Sequence, residues 1–394
     1  MERTIFHIDV NSAFLSWSAI EKLKSEDSID LRKIPSIIGG NQANRHGIVL
    51  AKSIPAKAYQ IETGEPISNA IKKCPNLIIE APNHQLYKDY STRLMQLLYT
   101  FNPDIEQASI DECYMDFTSL LHQYPSAINA AEIIKDTVFE KLGFTVNIGI
   151  STNKLLAKMA SDFKKPNLVH TLYPEEIPAK LWPLPVKELY MVGKSTLTTL
   201  QKLEIQTIGD LAESNVTLLS SHLKSHGRLI WEYANGIDET PVNTQSAELK
   251  GIGNSTTLPK DIETYQEVKP ILLNLAEKVG KRLRDRKQSA CMISVEIKYN
   301  TFISVSHQMQ LTVPVNTNQD IYQKSCILFN ELWDGIPIRL LGIRTSKLVS
   351  ESEPTQLNLF EINSNSQKNK NLDKALDEIR TRYGKNSIIR GSQL

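Results

Sequence analysis

Cysteine is scarce and scattered: Cys74, Cys113, Cys291 and Cys326 are the only four in 394 residues, and no two form a Cys-x-x-Cys pair. That excludes a disulfide framework and a zinc ribbon, and it reads as the reduced thiols of a cytoplasmic protein. No apolar run approaches the ~20 residues that cross a bilayer. The polar start, with Glu2, Arg3, His7 and Asp9, speaks against a secretory leader. Neither sign of charge dominates: 45 Lys and Arg against 44 Asp and Glu leave +1. A protein basic all over is thereby excluded, but local basic patches are not. What remains is 41% hydrophobic and 23% charged, as in soluble globular proteins. The chain is too long for one core, so about two to four domains are expected.

Chemistry is concentrated in two short stretches. Residues 4–10 alternate as a strand, with Phe6, Ile8 and Val10 on one face and Asp9 near its end. Ser109-Ile110-Asp111-Glu112 precedes a second strand-like run, 113–117. Neighbours on a regular strand point to opposite faces. Asp111 and Glu112 therefore converge only at a turn or bulge. Set beside the end of the first strand, that turn brings three carboxylates into one small volume. They stay ionised there if a divalent cation neutralises them, and an oxygen-only set suits Mg²⁺.

With 7–14 (His-Ile-Asp-Val-Asn-Ser-Ala-Phe), 109–112, and 153–162 followed by Lys165-Pro166-Asn167, the chain resembles the Y-family translesion DNA polymerases, most closely the bacterial polymerase IV-like branch. The likeness runs from Thr4 to the final helix. It implies an α+β right-hand polymerase: a ferredoxin-like βαββαβ palm (1–12 and 83–172), small fingers (13–82) and a helix-hairpin-helix thumb (173–240). A linker (241–248), an α/β little finger (249–349) and a tail (350–394) follow. It further implies that Asp9, Asp111 and Glu112 are catalytic and, with the Val10 carbonyl, hold two Mg²⁺ ions. Phe14 falls where the family has its steric gate; by spacing alone it is one more core aromatic. Ser53, Lys57 and Lys165 fall on the nucleotide. Two departures stand out: Asn11 where relatives often have Asp, and Ser53-Ile54-Pro55-Ala56-Lys57 where many have Ser-Tyr-Glu-Ala-Arg.

The periodicity fits this layout. It predicts helices over 86–99 and 127–142, the latter stopping at Gly143, and a strand at 146–150. From about Asn153 a helix turns Leu155, Leu156, Met159 and Ala160 inward and Lys154 and Lys158 outward. In the thumb, Gly193 and Lys194 open a helix suited to a DNA phosphate, although Met191 replaces a glycine common in relatives. The basic run Lys278, Lys281, Arg282, Arg284, Arg286 and Lys287 reads as phosphate contacts, and Arg344 lies on a recurrent strand of the same domain. In the tail, Gln356-Leu357-Asn358-Leu359-Phe360 is apolar in polar surroundings and resembles the peptide that docks on the bacterial sliding clamp (β-clamp). The partners expected of a monomer are thus primer-template DNA, a dNTP and the clamp. The function expected is low-fidelity translesion synthesis in DNA damage tolerance. Its rivals are an inactive DNA- and clamp-binding accessory protein and a two-metal nuclease, which needs neither Phe14 nor a triphosphate lysine.

Overall fold

A computed structural model describes residues 3–24, 29–40, 47–245, 248–352, 365–384 and 387–388. The clamp-like peptide, 356–360, lies outside the described residues. The chain divides into two compact units, one of 1–40 with 48–246, the other built from 247–394.

In the first unit β1 (Ile5–Val10) and α1 (Ala13–Lys22) lead into β2 (Ser36–Gly39), β3 (Val49–Lys52), α2 (Ile54–Ala58), α3 (Ile67–Lys73) and β4 (Ile78–Glu80). Then come α4 (His84–Tyr99), β5 (Ile105–Gln107), β6 (Glu112–Asp116), α5 (Ala127–Leu142), β7 (Val146–Ser151), α6 (Lys154–Asp162) and β8 (Val169–Thr171). The large sheet runs β5-β6-β1-β7-β8, with β1 antiparallel to both neighbours. Without β8 this is the ferredoxin-like order, β1 and β6 central, as the family likeness implies. Alternation along β1 sends Phe6, Ile8 and Val10 into the core formed with α4 and α5. Residues His7 and Asp9 face the other way, toward α6.

α6 lies unusually close to the sheet. A Cβ on Gly149 of β7 would stand 1.9 Å from the Ala157 carbonyl oxygen and 2.4 Å from the Ser161 nitrogen; only glycine admits that approach. The α6 N-terminus is capped by Asn153, which accepts from the Leu156 N–H at 2.8 Å and donates to the Gly236 carbonyl at 2.8 Å.

α1, expected within the fingers segment, packs on the large sheet. Ala13, Leu15, Trp17 and Ala19 of α1 are buried in the palm core, because Trp17 packs between Tyr90 and Phe144. A separate core begins with Ile37 and includes Val49, Ala56, Ile61 and Ile67. Its sheet, β3-β2-β4, gains an unforeseen third strand in β4.

The helical block holds α7 (Ile177–Lys180), α8 (Lys194–Lys202), α9 (Ile208–Glu213), α10 (Val216–Leu223) and α11 (Ser225–Ala234). Its core is continuous with the Leu155, Leu156 and Met159 face of α6.

The second unit contains β9 (Gly251–Ile262), α12 (Tyr265–Asp285), β10 (Gln288–Tyr299), β11 (Ser304–Val315), α13 (Asn318–Leu332), β12 (Ile338–Ser350) and α14 (Asn365–Tyr383). The sheet runs β11-β10-β12-β9, all antiparallel. Ile293, Val295, Ile297, Leu341 and Ile343 pack against α12 and α13. Small residues of the sheet, Ser294, Ser304, Ser306 and Gly342, line a cleft with Arg344.

Candidate active site

Asp9 stands directly across from Glu112 in the β1–β6 ladder, so both side chains share one face. Asp111 is not on a strand: it occupies the bend before β6, where the Ala108 and Ser109 N–H groups both donate to the Glu112 carbonyl. The turn is where it was expected, but it does not bring the two adjacent carboxylates together: Asp111 lines a cleft that Glu112 does not. The turn's conformation is held by Ser109, whose hydroxyl donates to Asp111 Oδ1 at 2.6 Å and accepts from the Glu112 N–H at 3.0 Å.

Asp9, Val10 and Asp111 line a cleft of about 720 Å³ with Phe14, Ser53, Lys57 and Lys165. Glu112 sits outside that lining. Its Oε2 accepts from Lys158 Nζ at 2.7 Å and lies 3.1 Å from His7 Nε2. Lys165 is hydrogen-bonded to Asp9 and lies 2.8 Å from Asp162. Each carboxylate thus has its own protein partner. Among the described residues no three His, Cys, Asp or Glu side chains converge closely enough to hold a metal unaided. The acids that do line the cleft, Asp9 and Asp111, fit a hard cation that takes further ligands from water and substrate phosphate.

Electrostatics separates the acids. The bond from His7, backed by Lys158, holds the Glu112 carboxyl down at about 2, against the cost of burial. Burial pushes Asp9 above the ordinary carboxylate range, and Lys165 offsets only part of that. Burial acts to lower Lys158 and Lys165, but Glu112 and Asp9 lift both above the usual lysine range. The sequence reading of Lys154 and Lys158 as outward-facing is corrected. Lys154 holds both Glu106 oxygens at 2.8 Å and Lys158 holds Glu112, because the close approach of α6 turns them under the sheet.

Phe14 stacks on Tyr87, centroids 4.4 Å apart and 7° from parallel, so its ring is a fixed wall of the cleft. Ser53 is buried and caps α2, accepting from the Ala56 N–H and donating to the Ile34 carbonyl. Its hydroxyl is therefore engaged in holding the loop. Lys57 is exposed at the rim. Asn11 has a use the sequence did not reveal. Its Nδ2 donates to Asn147 Oδ1 at 3.1 Å, and its Oδ1 accepts from the Asn167 N–H at 2.9 Å. Asn147 in turn donates to the Lys164 carbonyl at 2.7 Å. Two amides thus pin the loop that carries Lys165. Asn147, His7, Lys158 and Ser161 were missed as site residues; the one sequence signal was His7 on the same strand face as Asp9.

Among the expected DNA contacts, Gly193 and Lys194 are exposed at the start of α8, which no side chain caps. Met191 keeps a glycine-like φ of 73°. Arg286 and Arg344 are exposed. Lys281 pairs with Asp285 at 3.0 Å, and Arg282 donates to the Gly253 carbonyl at 2.7 Å. Arg284 is a correction. Its side chain is 8% exposed and bonds Asp377 at 2.7 Å, Asn316 O at 2.8 Å and Asn318 at 3.1 Å, so it anchors α14 and has no face for a phosphate.

Residues 8–162 match the impB/mucB/samB family, 249–359 its C-terminal domain, and 174–205 the IMS family HHH motif. A DNA polymerase IV of Clostridium acetobutylicum is 49% identical over 390 residues, 99% of this chain and 98% of that protein. One of Acetivibrio thermocellus is 34% identical over 394 residues, 99% and 97% of the two chains. A solved Y-family DNA polymerase chimera superposes with a TM-score of 0.76 at 21% identity, covering 88% of this chain and 99% of its own; at that identity it speaks for the fold alone. Matched along its length in this way, the chain belongs to the impB/mucB/samB family, the Y-family DNA polymerases of the polymerase IV kind.

Proposed function

We propose that the protein is a template-directed DNA polymerase that extends a primer 3′ end with deoxynucleotides, in low-fidelity synthesis across damaged template. The observation that carries this is one open cleft lined by Asp9, Asp111 and the Val10 backbone, walled by Phe14 and rimmed by Lys57 and Lys165. A divalent cation is required in this reading. Two Mg²⁺ ions, held by Asp9, Asp111, Glu112 and the Val10 carbonyl, would activate the primer 3′-hydroxyl and neutralise the triphosphate and departing pyrophosphate. The protein's own groups do the rest. Phe14, braced by Tyr87, leaves no space for a 2′-hydroxyl. Lys165, kept ionised by its acidic neighbours, is aimed at the cleft and binds the nucleotide phosphates, with Lys57 as a second point charge. Gly193, Lys194, Lys281, Arg282, Arg286 and Arg344 are the proposed DNA contacts. Gln356, Leu357, Leu359 and Phe360 are the proposed clamp peptide, which offsets a weak DNA grip by raising local concentration. The protein acts as a monomer in the cytoplasm.

Primer extension tests the assignment. Asp111→Asn abolishes extension while DNA binding persists; retained extension removes the carboxylate site, and shortening of the primer by the wild type identifies a nuclease. Phe14→Ala admits ribonucleotides, and unchanged sugar discrimination dismisses the gate. Deleting 356–360 spares unassisted synthesis and removes stimulation by the clamp.

A further inference from the structure

We propose that His7, with Ser161 behind it, is a positioning residue that fixes the Glu112 carboxylate for the polymerase reaction. This rests on the reading of Glu112 as a carboxylate of that reaction. His7 is completely buried, one ladder step from Asp9 on the same face of β1. A buried imidazole is costly unless both nitrogens are bonded. Here Nδ1 lies 2.7 Å from Ser161 Oγ and Nε2 lies 3.1 Å from Glu112 Oε2.

For a ring with one proton, proton accounting gives the direction of the chain. The Ser161 hydroxyl has one proton and two acceptors in reach, His7 Nδ1 and the Lys158 carbonyl at 2.8 Å. If it goes to Lys158, Nδ1 must carry the ring proton, and a neutral ring then turns a lone pair toward the Glu112 oxygen. If it goes to Nδ1, Nε2–H donates to Glu112 and every atom is satisfied. The Lys158 carbonyl loses nothing, since it lies within α6 and its ladder. A ring protonated on both nitrogens would likewise donate Nε2–H to Glu112, with Nδ1–H on Ser161 Oγ.

The consequence is directional. His7 and Lys158 both hold Oε2, which fixes the carboxylate plane and leaves Oε1 as the oxygen for the reacting groups. The device depends on α6 lying close enough for Ser161 and Lys158 to reach β1 and β6, which Gly149 permits. A carboxylate free to rotate is a carboxylate misplaced, and displacements of about 1 Å cost on the order of 10²-fold in rate.

Three variants of the full-length chain test this, assayed by primer extension (kcat, KM for dNTP), primer-template affinity, thermal unfolding and Mn²⁺ affinity by calorimetry without nucleotide. His7→Phe is expected to lower kcat by about 10²-fold and to weaken Mn²⁺ binding, with dNTP KM and DNA affinity unchanged. His7→Gln, which keeps a donor, restores much of kcat. Ser161→Ala leaves the ring but frees its tautomer, and lowers kcat by about 3- to 10-fold. Should His7→Phe not fold, Ser161→Ala carries the test alone. Wild-type kcat in folded His7→Phe, or wild-type kcat and Mn²⁺ affinity in Ser161→Ala, overturns the proposal. If the wild type extends and Asp111→Asn does not, that failure belongs to His7 and not to the polymerase reading. A wild type that does not extend overturns both.

Discussion

At Asn11 the choice between amide and carboxylate decides what a single side chain can do. It donates to Asn147 and accepts from the Asn167 N–H at once, and no carboxylate does both. Asn11→Asp sets an anionic oxygen against Asn147 Oδ1. An unsatisfied buried pair of this kind costs about 1–3 kcal/mol. The loop carrying Lys165 is therefore expected to loosen, raising the dNTP KM by about tenfold with a smaller change in kcat. Steady-state incorporation measures this, and an unchanged KM means the amide pair does not position Lys165. Glu112 supplies a pH signature at the same scale. Its folded pKa, about 2, lies below the ~4.3 of an unfolded glutamate. Its stabilising contribution is present above the unfolded value and lost as pH falls toward the folded one. Asp9, with its pKa raised, works in the opposite sense and costs stability once ionised. In urea unfolding from pH 7 to pH 2, the gap between wild type and Glu112→Gln should be constant above about pH 5 and close below it. A gap that persists at pH 2 dismisses the ion pair as its source.

Among the elements, α14 has the best-defined anchor. Asp373, 1% exposed, accepts from the Asn318 N–H at 2.7 Å and Nδ2 at 2.8 Å, Arg284 holds Asp377, and Arg380 reaches the buried Glu277 at 3.1 Å. Removing one partner of a buried pair strands the other, at about 3–5 kcal/mol. Arg284→Ala is accordingly expected to lower the stability of the second unit by that order, read in chemical unfolding; a loss below about 1 kcal/mol would place α14 outside the fold of that unit. The same residues mark where sequence reading stops. α4 and α5 were legible because their apolar spacing and the Gly143 stop are local signals. β9 was not, since an edge strand carrying Gly251, Gly253 and Pro259 lacks alternation. Arg284 looked like its basic neighbours because its acidic partners lie about 90 residues away. The three acids and the turn at 109–111 were readable, but the partners Lys158, Ser161 and Asn147 were not. Their roles depend on how closely α6 lies on the sheet, a distance that one glycine sets from outside the helix.

For the molecule as a whole, a net charge of +1 means that DNA affinity cannot come from a diffuse positive field and must be carried by a few exposed cations. Arg286, Arg344 and Lys194 are such groups, exposed and outside any ion pair found among the described residues. Lys281 shares its charge with Asp285, and Arg284 is spent on α14. Each cation that neutralises a phosphate adds about 0.9 to the slope of log K against log salt. Arg286→Ala, Arg344→Ala and Lys194→Ala are each expected to reduce that slope by about one. Lys281→Ala has a smaller effect, because its charge is already partly neutralised. Arg284→Ala leaves the slope intact at temperatures where the protein stays folded. Fluorescence anisotropy on a primer-template duplex across a salt series separates these outcomes. A slope that falls with Arg284→Ala but not with Arg286→Ala would mean that the second unit meets DNA through the face that α14 covers. The helix would then have to leave before DNA binds, and its buried ion pairs would act as an opposing equilibrium that lowers affinity in proportion to their stability.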